Sequence, residues 1–126
     1  MSAIRTMLVV ALASLLMSAC GTAGFIPDHA SQDLAVGIRF YEEGDYVTAT
    51  TVIQHALADG LSNKKDMARA YKYMAFIHCV SDREKQCRDE FKKALEIDPS
   101  FDLRPEEAGH PVWGPVFRSV KLKPSK

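Results

Sequence analysis

A helical hairpin in the second half of the chain most constrains its fold. Residues 90–97 place four apolar side chains on one face of a predicted helix, namely Phe91, Ala94, Leu95 and Ile97. Pro99 ends that helix. Residues 70–80 are also apolar at close to helical spacing, and the polar run 81–85 separates the two segments. The stretch therefore predicts two antiparallel helices.

The same pattern occurs earlier in the chain, at an offset of 38 residues. Small residues align with small ones and large with large: Gly37 with Ala75, Ala49 with Cys87, Ile53 with Phe91, Ala56 with Ala94, and Leu57 with Leu95. Two helices of a hairpin must approach closely, and a large side chain at their crossing would hold them apart. The sequence therefore predicts a duplicated helical hairpin.

These positions resemble the tetratricopeptide repeat. The matching residues are Gly37, Gly44-Asp45-Tyr46, Ala49 and Ala56-Leu57 in the first copy, and Ala75, Cys87, Phe91, Ala94-Leu95 and Pro99 in the second. The offset exceeds the usual repeat of about 34 residues, and the surplus falls in the polar residues 59–66. The resemblance implies an all-α fold of two tetratricopeptide-like hairpins with a C-terminal capping helix, over residues 33–121.

The N-terminus has the pattern of a signal peptide. Arg5 precedes the apolar run 7–17, which is shorter than the roughly 20 residues needed to span a bilayer. Its end, Leu16-Met17-Ser18-Ala19-Cys20, resembles a bacterial lipobox. That resemblance implies cleavage after residues 1–19 and a covalent lipid on Cys20, and Gly21 after it implies transport to the outer membrane. The alternative is an ordinary secretory signal that leaves Cys20 as a free thiol. Residues 20–32 are expected to form a flexible tether.

If Cys20 carries lipid, Cys79 and Cys87 remain as an even pair in an oxidising compartment. They fall near the end of one predicted helix and the start of the next, which favours a disulfide. The alternative is two small buried apolar residues at a tight crossing. His78 has no further ligand at metal-binding spacing, so neither a metal nor another cofactor is expected.

An amphipathic helix is predicted near the C-terminus. Its apolar stripe consists of Val112, Trp113, Val116, Phe117 and Val120, beginning just after Pro111. Such a helix can cover the exposed end of a repeat array. Trp113 and Phe117 are then either the core of this cap or an exposed contact for a partner. Residues 122–126 are expected to be a solvated basic tail.

The chain shows no phosphate-binding loop, nucleophile motif or metalloprotease motif, so an enzyme is not expected. Lysine plus arginine equals aspartate plus glutamate at 16 each, which does not suggest a nucleic-acid partner. In tetratricopeptide hairpins the first helices line a concave surface. The corresponding groove here would contain Leu34, Ile38, Tyr41, Arg69, Lys72, Tyr73 and Phe76. Its aromatic and basic side chains suit an acidic or C-terminal peptide segment rather than a small-molecule substrate.

A narrower resemblance covers nearly the whole mature chain. The lipobox, residues 71–80, Cys87 and residues 107–121 together resemble the small tetratricopeptide lipoproteins associated with type VI secretion gene clusters (the TssQ type). This resemblance implies an accessory outer-membrane lipoprotein that faces the periplasm and binds a component of the secretion machinery, without catalysis. The alternative is a pilotin-like lipoprotein that binds and escorts an outer-membrane protein.

Overall fold

The computed structural model describes residues 28–123, which form six helices and no strand. The helices are α1 (His29–Glu42), α2 (Tyr46–Asp59), α3 (Lys64–Val80), α4 (Glu84–Ile97), α5 (Pro105–Ala108) and α6 (Trp113–Lys121). The all-α prediction is thus confirmed. The predicted signal peptide, Cys20 and most of the predicted tether lie outside the described residues. Within them, no helix combines the length and hydropathy needed to cross a membrane.

The first four helices form two hairpins, α1 with α2 and α3 with α4, which pack closely along their lengths. Four of the five pairs aligned by the 38-residue offset are buried in both hairpins: Gly37 and Ala75, Ala49 and Cys87, Ile53 and Phe91, Ala56 and Ala94. The fifth pair, Leu57 and Leu95, is half-buried in both. The crossing of α1 and α2 is tight at Gly37, where a Cβ atom would lie 2.6 Å from the Ile53 Cγ1. The small residue is therefore required by the close approach of the two helices.

The turns of the two hairpins have the same backbone conformation. Gly44 and Asp82, which are 38 residues apart, both have a positive φ, of +83° and +58° respectively. In each turn the amide of the following residue donates to the carbonyl five residues earlier, at 2.9 Å. The turns differ in their caps, because the Asp45 carboxylate accepts from the Thr48 amide whereas Arg83 provides no side-chain cap. The duplication seen in the sequence therefore extends to backbone geometry.

Two boundaries differ from the sequence prediction. Helix α1 begins at His29, because the Asp28 carboxylate caps it by accepting from the Ser31 amide at 2.7 Å, so residues 29–32 are helix and not tether. The second difference concerns the extra residues between the hairpins, which the sequence places in the polar residues 59–66. Part of this surplus belongs to α3, which begins at Lys64 and has 17 residues where α1, α2 and α4 have 14 each.

The C-terminal segment closes the domain. Helix α5 is a single turn, and α6 packs against α4 and α3. Its apolar stripe, Trp113, Val116, Phe117 and Val120, joins the hydrophobic core of the two hairpins. Helix α6 begins two residues after Pro111, and Pro115 lies in its first turn, where a proline costs little.

Candidate functional site: the inner face, its cover and a basic cleft

The residues predicted to line an open groove are mostly buried. Leu34, Ile38, Lys72, Tyr73 and Phe76 are buried, Tyr41 is half-buried, and only Arg69 is exposed. Helix α1 packs against α3, and the C-terminal segment lies over α3. The prediction of an open peptide-binding groove is therefore wrong for this structure, because the chain itself fills that surface.

A row of aromatic rings runs along the surface formed by these seven residues, which we call the inner face. The rings of Tyr41 and Tyr73 meet edge to face at 5.0 Å, and Tyr73 meets Phe76 in the same way at 5.8 Å. The Phe76 ring then stacks on the ring of Trp113 from α6, with 4.2 Å between the ring centres. The His110 ring also stacks on Trp113, at 3.3 Å between centres, and ends the row. The row joins both hairpins to residues 104–121, which comprise α5, α6 and the residues around α5 and which we call the cover.

Trp113 and Phe117 belong to the core and are not an exposed contact. The Trp113 indole donates to the Glu107 carbonyl at 2.8 Å, so its polar atom is satisfied inside the protein. Phe117 packs edge to face against Phe91 and Phe101, at 5.1 and 5.7 Å. Of the two interpretations of this stripe, the structure supports the core of a cap.

An ion pair fastens the cover to the inner face. The Lys72 Nζ donates to the Glu107 Oε1 at 2.8 Å, and each residue is only 7% exposed. Arg104 donates to the same carboxylate from its side chain at 2.9 Å and from its amide at 3.0 Å. Every oxygen of the buried carboxylate is thus hydrogen-bonded.

The pKa values of these groups reflect burial and pairing. Burial raises the pKa of the Glu107 carboxyl, but the hydrogen bonds from Lys72 and Arg104 outweigh it and hold the pKa below its ordinary value. Burial lowers the pKa of the Lys72 ammonium, and Glu107 offsets this only in part. Burial, with smaller contributions from Tyr46 and Tyr73, raises the pKa of Tyr41 to about 12. The Tyr41 hydroxyl therefore stays protonated at neutral pH, and the Lys72 amine is engaged by a carboxylate and the neighbouring rings.

The structure joins Cys79 and Cys87 in a disulfide. Cys79 lies in the last turn of α3 and Cys87 in the first turns of α4, with their Cα atoms 5.1 Å apart. The bond crosses the turn of the second hairpin, where the first hairpin has Ala49 in place of Cys87. It therefore holds together the hairpin that carries the cover.

A group of potential metal ligands connects α1 and α2. The His55 Nδ1 lies 2.9 Å from an Asp33 oxygen and 3.4 Å from an Asp59 oxygen, and the three ligand atoms lie within 4.8 Å of one another. Imidazole and carboxylate groups are ligands that zinc accepts. The sequence analysis missed this group, whose only local signal is the four-residue spacing of His55 and Asp59. All three side chains reach solvent, and the hydrogen bond between His55 and Asp33 already links the two helices.

A basic cleft lies between the C-terminal halves of α4 and α6. One cavity of about 370 Å³ is lined by Lys92, Leu95, Glu96, Pro99, Val120, Lys121 and Lys123. A second cavity, of about 390 Å³, adjoins it and adds Arg88 and Ser119. These nine residues, which we call the basic cleft, include four basic side chains and one acidic side chain, a formal charge of +3 in a chain whose net charge is 0.

The basic side chains of the cleft differ in their partners. Arg88 pairs with Glu84, and Lys121 pairs with Asp102. Lys92 and Lys123 form no ion pair with any carboxylate of residues 28–123. Among the described residues, the cleft thus combines two ammonium groups, which form no ion pair, with the apolar side chains of Leu95, Pro99 and Val120. From the sequence, Leu95 and Val120 are expected on apolar helix faces and Lys123 in a solvated tail, and no pattern predicts that they form one cleft.

Comparisons of this chain with protein-family models, with curated proteins and with solved structures gave no match.

Proposed function

We propose that this chain is a non-catalytic adaptor, a tetratricopeptide-like lipoprotein that binds another protein at the outer membrane. The observation that carries the proposal is the duplicated hairpin, whose two copies share both their buried positions and the left-handed turn residue at Gly44 and Asp82. Stacked helical repeats present extended surfaces suited to binding proteins. Because fold alone does not define a function, the remaining support comes from the N-terminus and the narrower family resemblance.

The membrane attachment rests on residues 1–20. A charged start, a short apolar run and the lipobox-like sequence before Cys20 favour a lipid anchor. One acyl chain binds membranes only marginally, so the several chains of a bacterial lipoprotein are needed for stable attachment. The absence of an aspartate after Cys20 favours the outer membrane and a periplasmic location of the domain.

The resemblance to the lipoproteins of type VI secretion clusters suggests the partner, a component of the secretion machinery. Because Phe76 and Trp113 are buried against each other, the partner would bind other, exposed surfaces of the hairpins and of the cover.

Two experiments on the whole chain in its native cell test this proposal. Labelled palmitate should be incorporated into the wild-type chain and not into the Cys20→Ala variant. Affinity capture of the wild-type chain should recover membrane components of the type VI apparatus, and the Cys20→Ala variant should recover much less of them. Capture that returns none of these components would refute the assignment to type VI secretion.

The pilotin-like alternative gives a different result. Deleting the gene would then impair assembly of an outer-membrane pore protein and leave type VI secretion intact. The adaptor proposal predicts the reverse, with secretion reduced and outer-membrane pore proteins assembled normally.

A further inference from the structure

Charge is distributed unevenly between the two ends of the described chain. Residues 28–60, which contain α1 and α2, include six acidic residues and one basic residue, a formal charge of −5. Residues 61–123 include ten acidic and thirteen basic residues, a formal charge of +3. The backbones of α1 and α2 lie close to each other and to that of α3, and their Cα atoms stay more than 8 Å from those of α4, α5 and α6. The acidic and basic parts are therefore on separate regions of the molecule.

The turn between α1 and α2 concentrates the negative charge around an apolar side chain. Glu42, Glu43 and Asp45 are exposed and form no ion pair with a residue of the described range. Beside them, Val47 is 81% exposed and Tyr46 is 37% exposed. We call residues 42–47 the acidic turn. It projects a branched apolar side chain with carboxylates around it.

The basic cleft has the complementary features. Its apolar lining residues Leu95, Pro99 and Val120 can accept an apolar side chain, and its Lys92 and Lys123 form no ion pair within residues 28–123. A cavity of about 370 Å³ is ample for one valine side chain. The cleft is concave and carries Glu96, features that disfavour a continuous anionic lipid surface and favour a discrete apolar group flanked by acids.

We propose that this protein associates with itself head to tail, with the acidic turn of one copy bound in the basic cleft of the next. Val47 would enter the cleft, with Glu42 and Glu43 opposite Lys92 and Lys123. Each copy carries both surfaces, on different regions, so the contact is heterologous and extends into a chain or ring of copies. The attraction between exposed charges makes the association weaker at high salt. The membrane anchor proposed above would raise the local concentration of copies and strengthen the association, although the contact itself does not require that anchor.

Photocrosslinking of the full chain in its native cell tests the contact directly. With p-benzoylphenylalanine placed at position 47, we expect a crosslinked species of two copies, in which mass spectrometry finds position 47 joined to residues 88–99 or 119–123. The matched control is position 85, which is equivalent to 47 in the second hairpin and is likewise exposed. A crosslinker at position 85 should give no product in the cleft.

Charge exchange distinguishes the proposed contact from a folding effect. Lys92→Glu combined with Lys123→Glu should lower the yield of the crosslink at least fivefold. Co-expression of that variant with a differently tagged chain that carries Glu42→Lys, Glu43→Lys and the crosslinker should restore the yield to within twofold of wild type. A misfolded chain could not be rescued in this way.

Four results would overturn the inference: an unchanged yield in the lysine variant, no rescue by the exchanged charges, crosslinks that map outside the cleft, or crosslinks only to another protein, to lipid or within one copy. The inference does not depend on the proposed function. Copies could associate head to tail even if affinity capture found no secretion component, and an adaptor could bind its partner without self-association.

Discussion

Replacing Glu107 by glutamine tests how the cover is held on the inner face. The substitution preserves the shape of the side chain and removes its charge, so the Lys72 ammonium is left buried without its carboxylate. Removing one partner of a buried ion pair typically costs 3–5 kcal/mol. We expect a loss near the lower bound, about 3 kcal/mol, because the amide oxygen still accepts a hydrogen bond and the Lys72 Nζ lies 4.8 Å from the centre of the Tyr73 ring. For a domain of this size such a loss lowers Tm by at least about 12 °C.

The dependence of this loss on pH follows from the pKa of Glu107. Because that pKa is lower in the folded than in the unfolded chain, the carboxylate stabilises the fold fully above the unfolded pKa of roughly 4.3. This contribution is lost as pH falls through the folded pKa. The difference in unfolding free energy between wild type and Glu107→Gln should therefore be largest near pH 7 and shrink as the pH falls well below 4.

Urea titrations followed by far-UV circular dichroism at several pH values measure these differences. Asp89→Asn is the matched control, since it removes a carboxylate from an exposed pair of similar length with Lys85 and should change stability little. Adding Lys72→Met to Glu107→Gln should recover at least about 1.5 kcal/mol relative to the sum of the single effects, because the unpaired charge is then gone. A Glu107→Gln loss below about 1 kcal/mol, or a loss that does not diminish in acid, would refute the reasoning.

Three further predictions concern the hairpins, each measured by the same urea titration. Replacing Cys79 and Cys87 by alanine should lower stability by roughly 2.5 kcal/mol, because the disulfide closes a short loop in the unfolded chain; thiol labelling of both Cys79 and Cys87 in the unreduced, denatured wild type would contradict the bond. Gly37→Ala should destabilise by about 1–3 kcal/mol, because its Cβ atom would overlap the Ile53 side chain, and a neutral effect would show that α1 and α2 can separate freely. Asp82→Gly should raise the free energy of unfolding by about 0.5–1 kcal/mol, because glycine adopts the positive φ without strain. A lower free energy of unfolding would instead show that the Asp82 side chain makes a stabilising contact.

Features that repeat within the sequence could be predicted from it. The offset of 38 residues identifies the hairpins and their buried positions because the helices of a hairpin must bring small residues together. Cys79 and Cys87 lie on the two helices of a single hairpin, so the hairpin prediction alone is enough to predict that they are close together. Four of the five residues of the predicted C-terminal stripe are likewise buried along α6, whereas Val112 precedes the helix and is 44% exposed.

Contacts between separate segments could not be predicted in the same way. Lys72 and Glu107 are 35 residues apart in the sequence. Helical periodicity indicates on which face of α3 Lys72 lies, but it does not show which segment of the chain covers that face. The same limit explains why the repeat resemblance predicts Leu34 and Ile38 in an open groove although they pack in the core. The basic cleft combines α4 with α6, so its charge becomes apparent only when the two helices are side by side.

The presence of only two hairpins in residues 28–123 accounts for the covered inner face. Helical repeat proteins normally need about three repeats to bury a continuous core, so two hairpins leave apolar surface that another segment must bury. The C-terminal segment supplies the missing apolar surface through Trp113 and Phe117, and it satisfies the buried Lys72 through Glu107. A partner that bound to the inner face would have to replace both the apolar contacts and the ion pair. The exposed acidic turn and the basic cleft require no such displacement, so association is expected at these two surfaces first.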